Sequence, residues 1–416
     1  QRRPAEACAY VQTEDSRRAL AVIGGNWFGH PAEEMTMIAV TGTCGKTTTT
    51  YLLKAILEQA RGVKVGLIGT NQNMIGSDVI PTERTTPESF EVQKLFREMA
   101  DAGCTHVVME TSSHALYLDR VYGVRYDVGI FTNLTQDHLD FHKTMENYCD
   151  AKAILFRNCV TGVVNADDPW TPRLLKDADC KVMTYAEQAD ADLRAENIVL
   201  SAGGIAFDAV SGAERVPIRV NIPGGFMVYN TLDVLGAALA LGISLEESAV
   251  VLAKVPHVKG RVEIVPTPGK DYTILIDYAH TPDSMVNVLQ TVKEFAKGRT
   301  VAVFGCGGDR DRTKRPLMGK AAADWSDFAV VTTDNPRTEE PEAIIADILP
   351  GFDGSATPYH VVVDRIEAIH WAMDHAETDD VIVLCGKGHE TYQEVNHVKH
   401  HMDEREIVAD YLSSGR

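Results

Sequence analysis

The chain has 416 residues, 40 Lys and Arg against 59 Asp and Glu, and a formal net charge of −19. A chain this acidic does not hold nucleic acid or an anionic membrane through its bulk field, so any anion it binds must be met by loops, helix ends, metals and single arginines. Its length exceeds what one core usually fills, so two or three domains are expected.

Hydrophobic residues make up 44% and charged residues 24%, an ordinary globular balance. The eight cysteines form no C-x-x-C pair, which removes the usual zinc and redox spacings. No apolar run is long enough for a bilayer, and the opening QRRPAEACAY lacks a signal-peptide core. The expectation is a cytoplasmic protein with neither a nucleic-acid nor a membrane partner.

In chain order, RRALAVIGGNWFGHP (residues 17–31) reads as a helix ending near Gly29. From residue 37, short apolar runs alternate with helical segments: MIAVTG, KVGLIGT, THVVMETSS, VGIFTNL, GVVNADD and KVMTYA are strand candidates. Between the first two lies KTTTTYLLKAILEQA, apolar at helical spacing. This alternation argues for a parallel sheet covered by helices. Residues 196–222 read as hairpin strands, and NTLDVLGAALALG follows as a small-residue helix. A second alternation starts near residue 272, with strands TILIDYA, VAVFGCGG, FAVVTTD, YHVVVD and VIVLCGKG. The expected class is α/β: a phosphate-loop-type parallel-sheet domain followed by a Rossmann-like α/β domain, joined near VPHVKGRVE. The unusual residues fall after strands, where ligands of such sheets bind.

AVTGTCGKTTTT (39–50) misses the common G-x-x-x-x-G-K-[ST] pattern, because Val40 stands at the first glycine position. It still follows a strand, and Gly42 and Gly45 let backbone N–H groups turn toward an anion. A helix starts at once, so its positive dipole end points to the same place. Lys46 would reach terminal phosphates, and the Thr47 hydroxyl could ligate Mg²⁺, with Glu110 and His138 as further candidates. Each alone has an ordinary structural alternative: an exposed lysine after a turn, a carboxylate capping a helix, a loop histidine.

TGTCGKTTT, ETSSHAL, NLTQDHLDFHKTMENYCDAKAILF, GRVE, DYAHTPDS, GCGGDRDRTKRPLMGKAA, DNPRTEEP and GKGHE together resemble the Mur ligases of bacterial cell-wall synthesis, in the family's order from about residue 15 onward. The resemblance implies an ATP-dependent acid–amino-acid ligase that extends UDP-N-acetylmuramoyl-L-alanyl-D-glutamate. ATP would phosphorylate the D-Glu side-chain carboxylate, and an amine would capture the acyl phosphate. It implies three parts: residues 1–35 as the tail of an N-terminal UDP-substrate domain, 36–258 as the central ATP-binding domain, and 259–416 as the amino-acid-binding domain. It also implies two Mg²⁺ ions and a monomer.

Carried over residue by residue, the nucleotide would meet Thr41, Gly42, Thr43, Cys44, Gly45, Lys46, Thr47 and Thr48, with Asn230, Arg261, Asp277 and His280. Thr47, Glu110, His138 and Lys152 would surround the metals, Lys152 being carbamylated by CO₂. Lys46, Glu110, His138 and Lys152 would be the catalytic set. Thr85, Thr86, Ser112 and Arg120 would meet the UDP-muramoyl dipeptide. The added amino acid would meet Arg310, Asp334, Asn335, Pro336, Arg337, Gly386 and Glu390. D-N-P-R resembles the meso-diaminopimelate type: the planar guanidinium of Arg337 suits the carboxylate that distinguishes diaminopimelate from lysine, and Glu390 would hold the far ammonium. Cys44 stands where the family usually has asparagine, and Leu118 where diaminopimelate-type relatives often have glutamine. A lysine-adding relative, another Mur or folylpolyglutamate-type ligase, and a catalytically silent nucleotide-binding regulator remain as alternatives.

Overall fold

The computed structural model describes residues 12–82, 84–201, 203–255 and 258–414. The junction expected near VPHVKGRVE includes residues 256 and 257, which lie outside the described residues. The chain forms two compact units. One runs to residue 193 and takes in 233–244; the other comprises 194–232 and the chain from 245 onward.

The first unit begins with α1 (Ser16–Phe28), capped by the Asp15 carboxylate and closed by left-handed Gly29 at φ 74°, as the sequence suggested. It continues through β1 (Thr36–Thr41), α2 (Lys46–Arg61), β2 (Val65–Ile68), β3 (Asn73–Ile75), β4 (Asp78–Ile80), α3 (Ser89–Asp101), β5 (His106–Glu110) and α4 (Ser113–Tyr117). Then come β6 (Tyr126–Phe131), α5 (Leu139–His142), α6 (Met145–Ala153), β7 (Cys159–Asn165), α7 (Thr171–Leu174) and β8 (Lys181–Ala186). Its strands lie in the order β8-β7-β6-β1-β5-β2-β3-β4. The first six run parallel, and β3–β4 is an antiparallel hairpin at the edge. β1 and β5 are buried along nearly their whole length, which is why they read as continuous apolar runs rather than alternating ones. One face packs Ala39, Val92, Phe96, Val107, Phe131 and Phe156 into a single core.

The second unit holds an antiparallel meander of β9 (Leu193–Ser201), β10 (Gly204–Ser211) and β11 (Glu214–Val220). Helix α8 (Phe226–Ala240) starts in this unit and ends in the first. After α9 (Leu245–Leu252) come β12 (Glu263–Val265), β13 (Thr273–Asp277), α10 (Pro282–Lys293), β14 (Thr300–Phe304), α11 (Lys314–Trp325), β15 (Phe328–Val331) and α12 (Pro341–Ile348). The chain finishes with β16 (Tyr359–Val361), α13 (Arg365–Asp374), β17 (Val381–Cys385), β18 (Tyr392–Val395), β19 (Val398–His401) and α14 (Glu404–Ser413). The main sheet has the order β12-β13-β17-β14-β15-β16, parallel except for β12. Helices cover both faces: Met285, Leu289, Phe304 and Met318 pack on one, Ile276, Val303, Ile369 and Val408 on the other. A sheet covered on both faces leaves the loops at its carboxyl edge as the open ground for a site. Among the described residues, no helix is long and apolar enough to cross a membrane.

Candidate active site

The loop after β1 is held in shape by the segment after β6. Thr43 N donates to Asn133 O at 2.9 Å, and the Asn133 side chain takes both backbone groups of Cys44: its Oδ1 accepts from Cys44 N at 3.0 Å and its Nδ2 donates to Cys44 O at 3.2 Å. Thr132 Oγ1 donates to Cys44 O at 2.6 Å. A Cβ on Gly42 would lie 1.8 Å from Thr132 Oγ1, so only glycine fits there. Gly45, at φ 90°, caps α2. Lys46 Nζ curls back onto Gly42 O (2.9 Å) and Thr43 O (2.8 Å). The N-terminus of α2 and an ammonium therefore meet at one loop, the arrangement that attracts phosphate.

Glu110 ends β5 beside this loop and is fully buried. Its Oε1 accepts from Thr47 Oγ1 (2.9 Å) and from Thr70 N (2.9 Å), and its Oε2 from Thr70 Oγ1 (2.8 Å). A buried carboxylate linked to a hydroxyl at a phosphate loop is a hard-oxygen donor set, which fits Mg²⁺. Among the described residues no three His, Cys, Asp or Glu side chains cluster as a metal cage.

Lys152, on α6, is 1% exposed; its Nζ donates to Gly42 O at 2.7 Å and lies 4.4 Å from the Tyr148 ring centre. Burial first, then the neighbouring positive charge of Lys46, hold its ammonium well below the usual lysine range. His138 is less closely bound in. It sits in left-handed backbone at φ 54°, its ring 3.3 Å from Asp137 and edge-on to His114. Burial lowers its pKa, and His114, Lys46 and Lys152 lower it further against the opposing pull of Asp137. No hydrogen bond joins it to Glu110, Thr47 or Lys152 among the described residues.

The residues matched to the muramoyl substrate gather at the same sheet edge. Thr85 Oγ1 is 3.0 Å from Thr70 Oγ1. Thr86 Oγ1 donates to Glu110 O at 2.8 Å and accepts from Ser112 N at 3.1 Å. Ser112 Oγ caps α4 through Ala115 N. Arg120 donates to Thr86 O at 3.1 Å and pairs with Glu88 at 2.9 Å.

In the second unit the remaining residues form two groups. Asp277 ends β13, and burial lifts its carboxyl above the usual range. Its oxygens accept from Val262 N and Ala279 N, both at 2.8 Å. Arg261 lies 5.1 Å from the Tyr278 ring centre, and the His280 ring lies tilted against the same tyrosine at 4.6 Å. His389 is held neutral, its pKa pulled down to about 3 by burial and by nearby Arg261 and Lys259. Asn230, on α8, is buried, with Nδ2 3.7 Å from Met227 Sδ.

The second group is a polar core under the D-N-P-R loop. Asn335 Nδ2 donates to Glu390 Oε2 (3.0 Å), while its Oδ1 accepts from Lys387 Nζ (2.7 Å) and Glu394 N (2.9 Å). Lys387, fully buried, also pairs with Glu390 at 2.9 Å. Burial opposes charge on Asp334, but Lys387 and Arg365 outweigh it and hold the carboxyl below its usual range. Gly386 faces that carboxylate: a Cβ there would lie 2.6 Å from Asp334 Oδ2. Arg337 follows Pro336 in left-handed backbone at φ 53°. Its Nε pairs with Glu394 (3.1 Å) and its Nη1 donates to Gly308 O (2.8 Å). The guanidinium is thus aimed by protein contacts through Nε and Nη1. Arg310 is exposed and donates to its neighbour's carbonyl, Asp309 O; both Arg310 and Arg337 border Gly307.

Asn133, Thr70, Lys387 and Glu394 went unassigned in the sequence. Asn133 and Lys387 lay inside quoted motifs, NLTQDH and GKGHE, but nothing local distinguishes a clamp from a loop residue. Glu394 lies in a short hairpin with no apolar run.

A phosphate-type loop at one sheet edge and a polar cluster at another lie in two α/β units, and the chain belongs to the Mur ligase family of ATP-dependent amide-bond-forming ligases. Residues 40–238 match the Mur ligase middle domain, and 260–388 the Mur ligase, glutamate ligase domain. Similar curated proteins are the UDP-N-acetylmuramoyl-L-alanyl-D-glutamate–2,6-diaminopimelate ligase of Clostridium botulinum, 49% identical across 97% of this chain and 83% of that protein, and ligase 1 of the same designation from Clostridium acetobutylicum, 50% identical across 97% and 84%. A solved ligase of that designation is 34% identical, with a TM-score of 0.70 over 96% of this chain and 83% of that one. Mycobacterium tuberculosis folylpolyglutamate synthase shares the fold, at TM-score 0.72 and 19% identity over 89% of this chain and 92% of that one.

Proposed function

We propose that the chain adds meso-diaminopimelate to UDP-N-acetylmuramoyl-L-alanyl-D-glutamate at the cost of ATP, in peptidoglycan synthesis. It is an ATP-dependent amide-bond-forming ligase, as its family is. The reading is supported above all by Lys46, Thr47 and Glu110 meeting beside buried Lys152.

In this reading an oxygen of the D-Glu side-chain carboxylate bonds to the γ-phosphorus and ADP leaves. The uncharged amine of diaminopimelate then attacks the acyl carbon, the C–O bond to phosphate breaks, and the nitrogen gives up one proton as phosphate leaves. Lys46 turns from its loop carbonyls to the phosphates and offsets their charge. Bound Mg²⁺, two ions on the family pattern, supplies further neutralisation of the phosphate oxygens. Thr47, Glu110, His138 and Lys152 would hold it. Lys152 suits carbamylation because a buried amine that favours its neutral form adds to CO₂: the N–C bond forms, a proton leaves, and a carbamate oxygen becomes an anionic ligand.

Thr85, Thr86, Ser112 and Arg120 would face the muramoyl dipeptide, and Asn230, Arg261, Asp277 and His280 the nucleoside side of ATP. Glu390, steadied by Asn335 and Lys387, would take the far ammonium of diaminopimelate, and Arg337 its far carboxylate. The three-part division at 36 and 259, a monomeric state and a cytoplasmic location belong to the same proposal.

Phosphate release with ATP and the muramoyl dipeptide, run with diaminopimelate and with lysine, tests it. Turnover should need diaminopimelate; equal turnover with lysine overturns the specificity. Lys152→Ala should lose activity, and ¹³CO₂ should give a carbamate NMR signal in the wild type alone.

A further inference from the structure

The reaction as described uses neither Asp233 nor Thr49, yet both are fully buried. Thr49 stands on α2, one turn past Lys46. Asp233 stands on α8, and both its carboxyl oxygens approach one Thr49 hydroxyl: 3.1 Å to Oδ1 and 3.0 Å to Oδ2. Among the described residues no cation pairs with it. On α2, Lys46 is bonded to loop carbonyls, Lys54 pairs with Glu58, and Arg61 donates to Gly242 O. β7 approaches α8 through Val163, opposite Gly236, and α8 has no other charged residue.

The hydrogens decide what this contact is. A threonine hydroxyl has one hydrogen, and a carboxylate has none. With an ionised Asp233, the single Thr49 hydrogen would have to be split between both oxygens in a weaker three-centre bond, and the carboxylate would be buried without a cation. A neutral acid brings the missing hydrogen: Thr49 donates to the carbonyl oxygen, and the acid O–H donates back to Thr49 Oγ1. Two contacts then have two hydrogens, and nothing charged is buried alone. Burial also pushes the Asp233 carboxyl well above its ordinary range.

We propose that Asp233 is a positioning residue, a neutral acid clasped to Thr49 that holds α2, and with it Lys46 and Thr47, in the register that grips the nucleotide phosphates. The proposal rests on reading Lys46 and Thr47 as phosphate ligands. Asparagine reproduces the clasp, since its amide donates and accepts in the same places; alanine does not.

The test uses the full chain with Asp233→Asn, Asp233→Ala and Thr49→Val. At pH 7, Asp233→Asn should keep KM for ATP within about twofold of wild type. Asp233→Ala and Thr49→Val should each raise it about tenfold, with a smaller loss in kcat. A second readout is the melting temperature between pH 5 and 9. Above the ordinary carboxylate range the unfolded chain ionises Asp233, and folding must take the proton back. Wild type should therefore lose stability relative to Asp233→Asn as pH rises. Two results overturn the clasp: Asp233→Asn as damaging as Asp233→Ala, or parallel melting profiles for wild type and Asp233→Asn. A wild-type chain that binds no ATP would instead overturn the nucleotide reading, and the melting comparison would still judge the clasp.

Discussion

Lys387 is a buried cation whose two side-chain partners, Asn335 and Glu390, both belong to the proposed amino-acid pocket. Its ammonium fixes which way the Asn335 amide points, pairs with Glu390 and helps hold the Asp334 carboxyl below its usual range. Removing one member of a buried pair leaves the other uncompensated, at about 3–5 kcal/mol. Lys387→Met should therefore raise KM for diaminopimelate by at least about a hundredfold while leaving ATP affinity near wild type, as steady-state kinetics with each substrate varied would show. At the phosphate loop the deciding atom is one that is absent. Gly42→Ala puts a methyl 1.8 Å from Thr132 Oγ1, so either the loop or the β6 segment must move. Calorimetric titration with a nonhydrolysable ATP analogue should show binding lost, with the fold kept by circular dichroism.

At the scale of elements, the second unit is tied by buried or half-buried arginines. Arg365 on α13 is fully buried and meets Glu404 of α14 at 2.8 Å, while also donating to Cys385 O at the end of β17. Glu404→Ala strands that guanidinium, and urea unfolding should show about 3–5 kcal/mol lost. Arg315 on α11 reaches Glu339 and Asp347, and its hydrogen bonds bring the Glu339 carboxyl down to about 2. A depressed carboxyl contributes stability that is complete above the ordinary glutamate range and is lost as pH falls toward 2. Glu339→Gln should flatten that acid limb in melting curves taken from pH 5 to pH 2.5. The elements differ in how plainly the sequence announced them. β1, β5, β13 and β17 are buried on both faces, so their apolar runs stood out. β3, β4, β18 and β19 are three or four residues long, and β19 is exposed throughout. Their pairing is stabilised by partners rather than by their own pattern, so they stayed hidden, and with them the contact from Glu394 that aims Arg337.

Over the whole molecule, a charge of −19 opposes the approach of ATP and a UDP-linked substrate, which are anions themselves. Salt screens that repulsion, so nucleotide association should speed up, not slow down, between about 10 and 150 mM ionic strength; stopped-flow with a fluorescent analogue would check the sign. The same contrast between local and distant information governed how much of the site was legible. Lys46, Glu110 and Arg337 stand in motifs whose spacing carries meaning. Asn133, 89 residues from Cys44 in the chain, and Asp233, 184 from Thr49, acquire theirs only once the chain is folded. Cysteine placement follows the same divide. Cys104, Cys149, Cys159, Cys180, Cys306 and Cys385 have their thiols pushed up by burial, whereas Cys44 is half-buried in a loop whose backbone is pinned by Asn133. Among the cysteines of the described residues, only Cys44 and Cys180 are half-buried, and of these Cys44 gives a small alkylating reagent a landing point in the loop proposed to cradle the nucleotide. Bound ATP would shield it, and the rate of labelling would give a direct gauge of occupancy without any need to follow turnover.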